Sequence, residues 1–408
     1  MTTPIRTTPI RRSIEVDFLR GVVLIVIALD HIYGSSLAKF MLHNYAFCDA
    51  AEVFVFLGGY ASAAAYTAIE ANRGGRAATM RFLSRSVQIY RAYWLTAALM
   101  LASGAMIAAL RLRTPMLAES EWPLFAAQPW SMICDIALFR HQPYLAAVLP
   151  MYAFFALGAG VAVPYVRRAP VVTLFGSLVI WLFAPVLGPL LPNARAGGWG
   201  FNPFAWQFMF VCGMLARLHP VPTAFHASCM ARGLTQLAIG IALGFAFFKL
   251  VAQTQPMPGI MKQNLAPLRV VSFAALAWPV AVAVQRGWLR ALASRMRDVV
   301  NVGQQGMPCF VAGAFISIVI DTALRVSGPH RMPFVAGLCG DALAIGAVIA
   351  TARLARALKR RAVATRGGPA VSRPGQTSTM PPGIRPTPTT PPAQPMPAYV
   401  HREGHHDQ

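Results

Sequence analysis

A chain of 408 residues that is 56% hydrophobic and only 12% charged carries about half the charge of a soluble domain, which excludes an ordinary water-soluble fold. Its net charge of +22 would also fit a nucleic-acid binder, but the arginines lie in short stretches between long apolar runs, the positive-inside pattern of a membrane protein. The expected partner is the lipid bilayer, with no nucleic acid.

Hydrocarbon offers backbone groups no hydrogen-bond partner, so the apolar runs should be helices and the fold all-α. About 20 apolar residues cross about 30 Å of hydrocarbon. On that measure the sequence predicts about ten transmembrane helices, near 14–37, 47–69, 90–110, 146–166, 171–191, 203–217, 234–252, 268–285, 301–323 and 334–355. The first run carries ionisable residues and lacks a small-x-small cleavage site, so it is expected to stay as a span. Arginines of the N-terminus and of 73–85, 167–168, 217–232, 286–297 and 356–361 fall on one side of this ladder. Lys39, Arg111, Arg113, Arg140, Arg195, Lys262, Arg325 and Arg331 form the poorer opposite set. The richer side is cytoplasmic, which puts both termini inside and predicts a multi-pass protein of the bacterial inner membrane. The longest outside loop, about 111–145, holds Trp122 and Trp130, residues suited to an interface. A transmembrane domain over 1–361 then gives way at 362–408 to a Pro/Thr-rich segment, which cannot bury a core and is expected to be a disordered cytoplasmic tail. Its His401, His405 and His406 are read as solvated. The six cysteines are scattered without metal spacing and are read as buried free thiols, so no metal site is expected.

Ionisable residues inside spans are costly and mark function. The first span holds Asp17, Arg20, Asp30 and His31. Arg20 and His31 are 11 residues apart, so at about 100° per residue they share one helix face, with roughly 16 Å between them along the axis. Asp17 falls near the same stripe. Taken alone, Arg20 also reads as a snorkelling end charge and His31 as an interhelical hydrogen-bonding group. At the depth of His31 the second span begins with Asp49 and Glu52, three apart and on one face. A histidine with a carboxylate to orient it is what a general base requires. On the cytoplasmic side, Arg73-Gly74-Gly75-Arg76 leads into Arg81 and Arg85, an i,i+4 pair, and then Arg91. Paired guanidinium groups recognise phosphate, although ordinary positive-inside charge gives the same pattern. Lys249, Asp321 and Asp341 fall within or near later spans and are further candidates for a cavity lining.

Several of these segments together resemble the OpgC family, within the acyltransferase-3 superfamily. Arg20 through His31 is similar to the superfamily's Arg-x10-His motif, and Asp49-Ala-Ala-Glu-Val-Phe-Val-Phe-Leu-Gly-Gly-Tyr60 to the family's second-span signature. Leu149-Pro-Met-Tyr152, Phe201 through Gln207 and Gly303 through Phe310 resemble later segments. Two positions depart from the pattern: Gly58 and Gly306 stand where serine is usual. The resemblance implies an acyltransferase-3-like bundle and an acyl-CoA-dependent O-acyltransferase of the succinyltransferase type. It would move the acyl group from cytoplasmic acyl-CoA to a hydroxyl of a periplasmic glucan, with no bound cofactor. His31 is then the expected base, Asp49 or Glu52 its orienting carboxylate, and Arg20, Arg81, Arg85 and Arg91 the acyl-CoA-binding residues.

Two alternatives stand beside this reading. One is a related transferase with another donor or acceptor, such as acetyl onto a lipid-linked or surface polysaccharide sugar. The other is a catalytically silent membrane binding or transport protein, although the internal repeat common in transporters is not evident. The charge ladder itself makes a prediction. Reporter fusions after residues 75 and 361 should read cytoplasmic and one after residue 125 periplasmic; a periplasmic reading at 361 overturns the ten-span topology.

Overall fold

The computed structural model describes residues 13–194, 198–253, 259–327 and 334–366. Arg195, Arg331, the N-terminal arginines and the tail from residue 367 with its histidines lie outside the described residues. Every regular element among the described residues is helical. The principal helices are α1 (Ile14–Asp30), α2 (Ala50–Arg73), α3 (Gly75–Ala109), α4 (Val148–Arg168), α5 (Pro170–Leu182) and α6 (Pro203–Leu218). They continue as α7 (Cys229–Phe247), α8 (Pro267–Gln285), α9 (Arg297–Gln304), α10 (Gly306–Ser327) and α11 (Phe334–Arg366).

Seven helices among the described residues are long and apolar enough to cross a membrane. An eighth candidate is bent by 58° between Pro170–Leu182 and Ala184–Leu190. The remaining two expected spans coincide with helices short for a bilayer, α1 with 17 residues and α6 with 16. Length and apolarity thus support seven spans, or eight with the bent pair; a count of ten takes α1 and α6 as spans too.

Three expected boundaries are corrected. The first span ends at Asp30 and not at 37, with short 3-10 turns following. The third expected span is the second part of a 35-residue helix that starts at Gly75, so the arginine-bearing segment is helical. The ninth is broken at Gln305, whose backbone leaves the helical region at φ −102°, ψ 34°. The long segment expected to be an outside loop contains three short helices, Met116–Glu119, Trp122–Ala127 and Pro129–Ala137. Cys48 and Cys309 are buried as expected, whereas Cys134, Cys229 and Cys339 are exposed.

Two close crossings hold the bundle. At the α2–α6 crossing, Gly59 lies against the Phe210 carbonyl and Gly213 against that of Phe56, with no room for a Cβ on either glycine. Gly21 of α1 and Gly303 of α9 meet the partner backbone in the same way, at Val299 and Asp17. Lipid gives helices no hydrophobic drive to associate, so close backbone packing of this kind carries the association.

The stretch between α1 and α2 is irregular, and its backbone is satisfied from within the protein. Asp321 accepts from the Tyr33 N–H at 2.8 Å. Asp341 accepts from the N–H groups of Ser36 and Leu37 at 2.9 and 2.8 Å. Lys249 donates to the carbonyls of His43 and Ala46, and Ser272 accepts from the Phe47 N–H. Lys249, Asp321 and Asp341, weighed above as cavity-lining charges, serve this loop.

Candidate functional site

Two cavities lie back to back along α1. The first, of about 730 Å³, is lined by Asp30, His31, His43, Asp49, Glu121, His141, Tyr144 and Lys262 among others. The second, of about 610 Å³, is lined by Asp17, Arg20, Arg81, Arg85 and Arg217 together with Tyr60 and Tyr152. Phe54 and Phe310 border both. Their rings stack at 6.1 Å between centroids and 14° between planes. Tyr152 packs edge-on against Phe54 and donates its hydroxyl to the Phe54 carbonyl at 2.8 Å. A wall of aromatic rings separates a cavity rich in arginine from one rich in histidine.

Arg20 and His31 therefore belong to one lining helix but to different cavities. His31 is the residue that ends α1, and its Nδ1 lies 2.6 Å from the Ile27 carbonyl oxygen. A carbonyl only accepts, so Nδ1 carries the proton and Nε2 keeps the lone pair of a base. Tyr144 holds the ring from the side, edge-on at 5.5 Å.

Of the two expected orienting carboxylates, Asp49 borders the cavity of His31, and both acids have other partners. Asp49 caps α2, accepting from Ala51 N–H at 2.7 Å, while Glu52 accepts from the Asp49 N–H at 2.8 Å, a reciprocal capping box. Both carboxylates also bind Arg269 of α8: its Nε is 2.5 Å from Glu52 and its Nη2 3.0 Å from Asp49. Lys262 adds a further pair to Asp49 at 2.8 Å. Glu52 is wholly buried and does not border the cavity. These acids start a helix and neutralise a buried arginine; the acceptor that orients His31 is the Ile27 carbonyl.

On the other side Arg20, Arg81 and Arg85 come together as the sequence reading required, joined by Arg217, whose guanidinium stands 5.6 Å above the Tyr60 ring. Arg91 does not join them; it is exposed on α3 and lines neither cavity. Arg73 and Arg76 are outside it as well. The two serine-to-glycine departures both border the arginine cavity. A Cβ on Gly58 would come within 2.8 Å of Tyr152, and one on Gly306 within 3.2 Å of the Arg20 guanidinium. Among the described residues no cluster has the makeup of a metal site.

Sequence reasoning missed Arg269, Glu121, His141, Arg217 and the two phenylalanines. Arg269 carried a legible signal, being an arginine inside an apolar run. Glu121 and His141 had none, because they lie in what reads as a loop.

These features define an α-helical membrane protein with two facing cavities bordering one helix. The family model described as OpgC protein matches residues 12–360. The chain belongs to the OpgC family, whose members are of the membrane acyltransferase type. No curated protein and no solved structure matches it.

The buried ion group generates a stability prediction. Arg269→Gln should destabilise the protein by about 3–5 kcal/mol, because Glu52 is left buried without its partner. Adding Glu52→Gln to that variant should recover part of the loss. Thermal unfolding in detergent measures both; equal melting of Arg269→Gln and wild type overturns the assignment.

Proposed function

We propose that this protein is a membrane O-acyltransferase that moves an acyl group of the succinyl type from cytoplasmic acyl-CoA to a hydroxyl of a periplasmic glucan. The observation that carries the reading is the pair of cavities, one cationic and one bearing a base, that meet at a single aromatic wall. In this reading the chain crosses the bacterial inner membrane ten times, with both termini in the cytoplasm. The arrangement of charge supports that orientation: Arg81, Arg85 and Arg217 of the richer set border one cavity, and Lys262 of the poorer set borders the other.

The chemistry follows from the side chains. Arg20, Arg81, Arg85 and Arg217 bind the phosphates of the donor through planar forks of N–H donors. The acylated end of the donor reaches the aromatic wall, where Phe54, Phe310 and Tyr152 exclude water from the thioester. His31 Nε2 takes the proton of the acceptor hydroxyl as its oxygen attacks the thioester carbonyl. The tetrahedral intermediate collapses, the carbon–sulfur bond breaks, and CoA leaves as the thiolate, to which the proton returns. The reaction needs no bound cofactor beyond the donor itself. Asp49 and Glu52 act on this chemistry only through the segment that they hold.

Two measurements test the reading. With labelled succinyl-CoA and a glucan acceptor, His31→Ala should lower kcat about 10²–10⁴-fold, the usual worth of a general base. Its CoA binding should stay near wild type, since the phosphates bind in the other cavity. Arg81→Ala and Arg85→Ala should do the opposite, raising the KM for acyl-CoA and weakening CoA binding, because phosphate contacts act in ground and transition states alike. Most of the activity surviving in well-folded His31→Ala overturns the base assignment. Unchanged CoA binding in the Arg81/Arg85 double variant overturns the phosphate site.

A further inference from the structure

The proposed reaction uses one histidine, and the cavity that holds it contains two more, His43 and His141, of which His141 is hydrogen-bonded to a carboxylate. His141 Nε2 lies 2.5 Å from Glu121 Oε2, with side chains only 10% and 15% exposed. Both residues border the cavity beside His31. A carboxylate only accepts, so it fixes Nε2 of His141 as the protonated nitrogen and leaves the Nδ1 lone pair to accept from another group. The pair therefore offers the cavity hydrogen-bond acceptors: one imidazole nitrogen and the lone pairs remaining on the carboxylate.

The backbone on both sides is held in costly conformations. Glu121 sits in the left-handed region at φ 63° and Phe139, two residues before His141, at φ 56°. Each is strained for a residue other than glycine, and such strain gathers at working sites. The His141 carbonyl is fastened in addition by the Tyr93 hydroxyl at 2.7 Å. Around the pair the cavity wall carries Gln142, Asn193, Tyr144 and Phe201, planar polar groups mixed with aromatic rings. Hydroxyl donors matched by planar acceptors, with ring faces for C–H surfaces, are the complement of a carbohydrate.

Resting on the acyltransferase reading, we infer that Glu121 and His141 form the acceptor subsite: they accept hydrogen bonds from sugar hydroxyls neighbouring the one that His31 deprotonates. The pair itself takes no proton from the reacting oxygen; it holds the ring so that this oxygen faces His31 Nε2 and the thioester beyond the wall. A site built around hydroxyl hydrogen bonds discriminates strongly, because its buried polar groups go unpaired when the hydroxyl is missing.

The test separates acceptor from donor. Glu121→Gln keeps the shape of the side chain and removes its charge; His141→Asn removes the imidazole. In each, the KM for a defined gluco-oligosaccharide should rise about 10- to 100-fold, the effect of losing hydrogen bonds to a charged pair. The KM for succinyl-CoA should stay within about twofold of wild type, as expected of contacts that only the acceptor makes. A pair that merely fastens the loop predicts early melting and a loss shared by both substrates, and that result overturns the inference. So does an unchanged acceptor KM in both folded variants. Binding of the labelled oligosaccharide to purified protein without donor is the second readout. If wild type binds the sugar and the variants do not, while no acyl transfer occurs in any of them, the subsite stands and the acyltransferase reading fails. If transfer occurs and sugar binding is equal in all three, the reading stands and the subsite fails.

Discussion

An irregular stretch of backbone inside a membrane protein is tolerable only where protein or water satisfies it, and the segment between Asp30 and Asp49 rests on that constraint. Helix α1 ends at a residue bearing a base, and the chain then turns through short coils before α2 begins. The exposed N–H and carbonyl groups of this detour are met by Asp321, Asp341, Lys249 and Ser272, which come from four other parts of the sequence. The bond from His31 Nδ1 to the Ile27 carbonyl gives the imidazole one defined tautomer at the point where the helix stops. Charges that look like functional residues in a hydropathy plot thus hold the backbone that follows a functional residue.

The other end of the detour is held as firmly. Asp49 and Glu52 cap α2 and bind Arg269 of α8, so the beginning of the second helix, the eighth helix and the floor of the histidine cavity form one electrostatic unit. Beyond it α2 continues past Phe54 and Gly58 to Gly59 and the close crossing with α6. One helix therefore supplies a carboxylate of the first cavity, a ring of the dividing wall and the small residue against which Tyr152 packs. Displacing it would disturb both cavities and the wall together.

Much of this architecture was legible from sequence, and the errors have physical causes. Apolar runs coincide with helices at all ten expected positions because backbone satisfaction in lipid leaves few choices. The break at Asp30 was not legible, since no proline or glycine adjoins it, whereas the break at Gln305 carried a signal that was passed over, Gly306 next to it and Pro308 soon after. The capping role of Asp49 and Glu52 was legible: an acid followed three residues later by Glu, ahead of an apolar run, is a capping-box signature. Arg91 was separable on geometry as well, lying six residues past Arg85 and so about 120° around the helix from it. The pairing of Glu121 with His141 spans twenty residues of apparent loop, and no periodicity in the sequence encodes it.

The thin aromatic wall has an electrical consequence. Water-filled cavities on either side of a membrane conduct ions to their ends, so the voltage across the bilayer is dropped mainly over whatever separates them. In the proposed orientation, with each cavity open to its own side, that is the layer formed by Phe54, Phe310 and Tyr152. An elementary charge crossing the full potential gains or loses about 2.3 kcal/mol per 100 mV. A succinyl group carries a free carboxylate, and in the proposed orientation it travels from the negative to the positive side. The resting potential of the cell would then assist each outward transfer and oppose its reversal, which a neutral acetyl group moving through the same wall would not experience.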